Sequence, residues 1–148
     1  MSSKAIKLLI NILKPLGCVV VCVAVMYCVS LSIATPVFKD YADRYELYVN
    51  SNSSCANILS VNCSEYPFIQ NIYGESCTVN KDFDLKDFLF QMDAPILFTE
   101  SLDTGVCYYA YSPKIKYKKS VNGKIVNLHV FIGQEHVKIG TPLIYGGY

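Results

Sequence analysis

PLGCVVVCVAVMYCVSLSIATPVF, residues 15–38, separates Lys14 from Lys39 without one charged side chain. Some 18 to 20 apolar residues, at about 1.5 Å each along a helix, cover the roughly 30 Å hydrocarbon layer of a bilayer, and a buried globular helix rarely needs so long an uninterrupted run. The stretch therefore reads as a transmembrane helix over residues 15–35. Lys4, Lys7 and Lys14 precede it, whereas Lys39, Asp40, Asp43 and Arg44 beyond it balance in sign, so the positive-inside rule leaves residues 1–14 as a cytoplasmic tail. Residues 36–148 then lie outside the cytosol. The rival reading is a cleaved secretory signal, with Ser32-Ile33-Ala34 as the small-residue cleavage pattern, but the apolar stretch exceeds the usual h-region. Leu16-Gly17-Cys18 is no lipobox, because a lipidated cysteine follows the apolar run and Cys18 opens it.

The external part suits one small domain. Its ten cations against twelve acids give a net charge of −2, which is no electrostatic footprint for nucleic acid. Of the seven cysteines, Cys18, Cys22 and Cys28 fall in the span, and Cys55, Cys63, Cys77 and Cys107 fall outside. Four cysteines in an oxidising compartment suggest two disulfides, each worth about 2–4 kcal/mol in a domain this small. Sequence alone leaves all three pairings open. Twelve lysines against one arginine match the product of an AT-rich gene.

Past the span, Val37, Phe38, Tyr41, Ala42, Tyr45, Tyr48 and Val49 recur at helical intervals, which predicts an amphipathic helix over residues 36–49 after the Thr35-Pro36 cap. Residues 50–148 form the cystine-bearing body. Asn52 and Asn62 begin N-glycosylation patterns, which carry weight only in a eukaryotic secretory pathway. Leu85, Phe88, Leu89 and Met92 mark a helix within residues 82–92, capped by Asn80 or Asp82 and stopped at Asp93-Ala94-Pro95. The period then changes to two. Residues 96–99, 106–111, 114–119, 124–132 and 137–139 read as strands, with 143–145 a further candidate. Asn122-Gly123 supplies the two positive-φ residues of a tight hairpin, so the strands around it are antiparallel. The fold class is α+β: an N-terminal transmembrane helix followed by a small disulfide-stabilised extracytoplasmic domain with a mostly antiparallel sheet.

Two clusters stand out as partner-binding candidates. Tyr108, Tyr109 and Tyr111 follow Cys107 in a chain with twelve tyrosines and no tryptophan, and tyrosine is enriched at interfaces. Edge and core packing explain them equally well. Lys114, Lys116 and Lys118 alternate onto one face beside Lys119 and Lys124, to meet an acidic partner or lipid headgroups, or simply to protect a sheet edge. Cys18 and Cys22 share a helical face, which suits small apolar filler better than palmitoylation. No catalytic, cofactor or metal residue is assigned. The two histidines, His129 and His136, have no third ligand at metal spacing, and Cys107 with His129 makes a nucleophile and base only if that thiol is unpaired.

In layout the chain resembles the small single-pass inner-membrane companion proteins of membrane-spanning winged-helix regulators of pilus and toxin genes in enteric bacteria. The likeness lies in the order of short basic tail, span and cystine-bearing β-rich domain, and it transfers no residue roles. It implies a non-enzymatic accessory protein whose periplasmic domain binds and stabilises or regulates a larger membrane protein, a regulator of adhesin or virulence genes. Disulfide state or a small apolar ligand would tune the pair. The plan is also similar to the small type II envelope proteins of large DNA viruses, subunits of multi-protein entry complexes.

Overall fold

The computed structural model describes residues 3–32, 35–51 and 53–147, and in the first helix the side chains of residues 14, 15 and 17–29. The Lys4 and Lys7 side chains, the Ile33-Ala34 cleavage position and the Asn52 acceptor lie outside the described residues. The chain divides into two units, Met1–Ala34 and Thr35–Tyr148.

The first unit is one helix, α1 (Ser3–Ser32), with Pro15 inside it. Residues 17–29 carry apolar side chains that are all exposed, among them Val19, Val23, Met26 and Tyr27. Among the described residues no helix is long and apolar enough to cross a membrane. Residues 17–29 alone rise about 18 Å, against the roughly 30 Å that a span needs.

The second unit is α+β and built on one antiparallel sheet. Its strands are β1 (Arg44–Val49), β2 (Asn57–Asn62), β3 (Ile72–Val79), β4 (Ile96–Leu102), β5 (Gly105–Ala110), β8 (Leu128–Gly133) and β9 (Val137–Thr141), in the spatial order β2-β1-β3-β9-β8-β5-β4. A separate hairpin pairs β6 (Lys119–Val121) with β7 (Lys124–Val126). The helix α2 (Leu85–Gln91) lies between β3 and β4 in the chain.

Both sheet faces are buried. On one, Tyr45, Leu47, Val61, Cys77, Val130 and Ile139 pack under Phe38, Tyr66 and Phe88. On the other, Cys107, Tyr109 and Phe131 pack with Val126 and Ile144.

The helix expected over residues 36–49 is not formed. Its second half is β1, whose Tyr45, Leu47 and Tyr48 are wholly buried between two neighbouring strands. Tyrosine- and valine-rich sequence favours that pleated, doubly covered position over an exposed helix. The stretch before it is a turn held by Glu75, whose Oε1 accepts hydrogen bonds from the N–H of Val37 at 2.7 Å and of Phe38 at 3.1 Å. Helix α2 starts at neither proposed cap. Asp84 caps it instead, its Oδ1 accepting from Lys86 N–H at 2.8 Å and Asp87 N–H at 3.1 Å. The stop falls as expected, with Asp93 at φ 50°.

The Asn122-Gly123 hairpin is present, with φ of 50° and 74°. Its flanks are shorter than expected. Residues 114–118 are irregular, and the strand read over 124–132 breaks at Asn127. That side chain is fully buried, accepting from Ser112 N–H at 2.6 Å and donating to the carbonyls of Ser112 at 2.6 Å and Ile115 at 3.0 Å. It ties the irregular 112–115 segment to the point where the chain leaves the hairpin for the main sheet. Residues 143–145 are not a strand either.

The two disulfides expected among Cys55, Cys63, Cys77 and Cys107 are also not met; Cys55, Cys63 and Cys77 are free thiols. Register gives the reason. Cys77 aligns through Ile139 and Val130 with Tyr108, whereas Cys107 lies opposite Phe131, so the two side chains point to opposite faces. Strands β9 and β8 stand between them, about 14 Å at some 4.8 Å per strand, where a disulfide needs Cα atoms about 4.4–6.8 Å apart. Cys55 and Cys63 flank the two ends of β2, roughly 20 Å apart, and β1 separates Cys63 from Cys77.

Candidate functional site

The structure divides the tyrosine cluster among three environments. Tyr108 is half-buried against the core under α2. Tyr109 is buried on the opposite face, where its ring stacks between Phe98 and His129 with centroids 4.4 Å from each, and its hydroxyl donates to Glu100 Oε2 at 3.0 Å. Tyr111 alone is exposed.

The lysines divide as well. Lys119 donates to the Tyr145 hydroxyl at 3.1 Å and lies over that ring. Lys124 donates to the Leu97 carbonyl at 2.9 Å beside Phe98. Lys116 and Lys118 are exposed. Lys114 reaches back to α2 and donates to the Gln91 carbonyl at 2.6 Å, where an ammonium complements the helix C-terminus.

One end of α2 thus gathers a surface that the sequence did not suggest as a unit. Ser112 Oγ donates to the Met92 carbonyl at 2.5 Å and Tyr111 N–H to the Pro95 carbonyl at 3.4 Å, so the Asn127-pinned segment is laid against the helix end. Lys114 and the Tyr111 N–H are bound at that end, and Phe90, in the last turn of the helix, is 85% exposed. Gln91 is held on both sides, its Nε2 donating to Asp87 at 2.6 Å and its Oε1 accepting from the Tyr41 hydroxyl at 2.8 Å. A helix end with an aromatic ring exposed in its last turn and an ammonium on its Gln91 carbonyl suits a partner segment that pairs an apolar side chain with a carboxylate. The signal available in sequence was Phe90 itself, an aromatic off the buried Leu85-Phe88-Leu89-Met92 stripe.

A second candidate is the sheet edge at β2. The opposite edge, β4, is guarded, since Lys124 occupies the Leu97 carbonyl and Glu100 sits in the strand. β2 reads NILSVN without a charge or proline, and Ile58 and Leu59 are each 42% exposed on its two faces. Nothing in its short, weakly alternating pattern marked it as a strand.

Glu75 and His129 are buried and each is held by structural partners. Glu75 accepts from the Tyr66 hydroxyl besides the two backbone donors, while burial holds its carboxyl above the usual carboxylate range. Burial lowers His129 from 6.5 to about 4, and its Nδ1 accepts from Ile144 N–H at 3.2 Å. Cys107 lies on the same face as His129, one diagonal step away, but it is fully buried and His129 is 2% exposed. No substrate reaches that pair in this packing. Among the described residues no three His, Cys, Asp or Glu are grouped to hold a metal ion. A shallow trough of about 620 Å³ beside α2, lined by Phe83, Leu85, Leu89 and Ile96, is rimmed by Lys81, Asp82, Asp84 and Lys86.

No protein family, curated protein or solved structure matches the chain.

Proposed function

We propose that this is a single-pass membrane protein, anchored through residues 15–35 with its N-terminus in the cytoplasm, whose sheet domain is a non-enzymatic docking body for a larger membrane protein. The domain stands in the periplasm of a bacterial inner membrane. It stabilises or regulates its partner, a membrane-bound regulator of adhesin or virulence genes in the class that the layout suggests. The observation that carries the docking role is the exposed Phe90 ring in the last turn of a helix whose end is braced by Lys114, Gln91 and Ser112. An 85% exposed phenylalanine on a rigid element costs solvation and contributes nothing to the core, so it suits an interface anchor.

Crosslinking pull-down of the full chain from its native membrane tests this. The expected result is one stoichiometric membrane partner, with recovery falling at least tenfold in the Phe90→Ala, Lys114→Glu double variant while the melting temperature of the domain stays within a few degrees. Recovery of the wild-type protein without a stoichiometric partner, or equal recovery by the double variant, contradicts the reading.

A further inference from the structure

We infer that two copies of this chain pair antiparallel along their β2 edges, about a two-fold axis at Leu59, and that Cys55 of each copy bonds to Cys63 of the other. Three independent features of the edge converge on that axis.

The first is which backbone groups face outward. Cys63 N–H donates to the Asp43 carbonyl at 3.0 Å, and Arg44 lies opposite Asn62 and Val49 opposite Asn57 in an unbroken register. In an antiparallel ladder the inward- and outward-facing residues alternate. Asn57, Leu59, Val61 and Cys63 therefore aim their amides at β1, and Ile58, Ser60 and Asn62 aim theirs at the open edge. Asn62 N–H is already taken by Glu65 Oε2 at 2.9 Å. That leaves Ile58 and Ser60, which stand symmetrically about Leu59. A two-fold at Leu59 sets each Ile58 opposite the other copy's Ser60, in two closely bonded pairs. A two-fold at Ser60 would instead need the occupied Asn62 amide.

The second feature is the side chains. Two-fold pairing of antiparallel edges sets Leu59 against its own copy on one face and Ile58 against Ser60 on the other. The two most exposed apolar side chains of the strand are thereby covered. The strand has no ionisable group between Asn57 and Asn62, so self-pairing opposes no like charges, and no lysine, proline or bulge blocks it.

The third is the cysteines. Cys55 and Cys63 are exposed and lie four residues on either side of Leu59. In this register each falls opposite the other in a non-hydrogen-bonded pair, where Cα atoms approach to about 4.5 Å, within the range of a disulfide. Cys63 is already in line with the ladder through its bond to Asp43. Cys55 lies in the turn that Ala56 N–H closes on Ser53, its own N–H on Ser53 Oγ at 3.3 Å, and it takes its place opposite Cys63 when that turn opens and the ladder extends through Ala56. For each bond, the Cys55 and Cys63 thiols release two protons and two electrons to a disulfide oxidant, which leaves as two thiols. In cells this rests on the external, oxidising placement proposed above.

The test is a non-reducing gel of the full chain from membranes whose thiols are blocked at lysis. The expected result is a doubled mass that collapses on reduction. Because every bond needs one Cys55 and one Cys63, Cys55→Ser and Cys63→Ser should each run as monomers, whereas co-expression of the two should restore a mixed dimer. A dimer persisting in either single variant, or no mixed dimer, overturns the register. Ser60→Pro removes an outward N–H that β1 does not use, so it should keep a cooperative melt and lose the dimer. Full chain in detergent with oxidised glutathione separates the two readings. A dimer there but not in cells supports the pairing and contradicts the external placement; no dimer in either overturns the pairing.

Discussion

Asn127 shows what one side chain can decide. It sits between an exposed hairpin strand and a strand of the main sheet, and its amide satisfies three backbone groups of residues 112 and 115 that no strand partner serves. Asn127→Ala should cost about 2–4 kcal/mol, since it orphans buried donors and acceptors, and a urea midpoint measures the loss. Alternation alone hid this: Val126, Leu128, Val130 and Ile132 read as one strand face, and a buried asparagine in the middle carries no periodic signal. His129 predicts a pH dependence. Its folded value of about 4 lies below the unfolded 6.5, so the unfolded chain binds the extra proton in that window. Stability from this group is full above about 6.5 and is lost as pH falls toward 4, on the order of 3 kcal/mol at the acid end. His129→Gln retains an acceptor for Ile144 N–H and should flatten the slope of melting temperature against pH between 6.5 and 4. An unchanged slope would mean that the ring titrates normally. Glu75 acts in the opposite sense, since its raised value contributes stability at acid pH that is lost as pH rises.

Elements whose signals are local were legible in the sequence. The Asn122-Gly123 turn needs two positive φ angles that few other dipeptides supply, and α2 carries its apolar stripe within two turns. Its cap was misplaced by two to four residues because Asn80, Asp82 and Asp84 are chemically equivalent choices in sequence, and Asp84 is the one whose Oδ1 meets the first-turn N–H groups of Lys86 and Asp87. Asp84→Ala should destabilise the domain by about 1 kcal/mol, read from the same urea midpoint, whereas Asp82→Ala should leave it within about 0.5 kcal/mol. Strands β1, β2 and β3 were not legible. β1 alternates only from Arg44 to Leu47, too short a run to mark a strand, and the tyrosines around it fall at helical intervals. The packing of β1 depends on β3, 28 residues on from Arg44 to Ile72, whose Gly74 lets β9 approach so closely that a Cβ would clash with the Thr141 carbonyl. Such contacts are non-local and leave no mark within either segment.

At the scale of the whole molecule, the sheet domain reaches two buried faces without any of the disulfides expected within it, so the core and not a cystine framework holds it together. The candidate surfaces were half legible: Tyr111 and Lys114 belong to the α2 end, Tyr108 and Tyr109 belong to the two cores, and the β2 edge was invisible until the strand order was known. The account as a whole depends on residues 15–35 lying in a bilayer with residues 36–148 beyond it. A protease-cleavable tag fused after Tyr148, assayed in intact spheroplasts, tests that most directly. The prediction is that external protease removes the tag before any permeabilisation while the chain stays in the carbonate-washed membrane pellet. A tag protected until the membrane is opened, or a chain recovered in the soluble fraction, would contradict it.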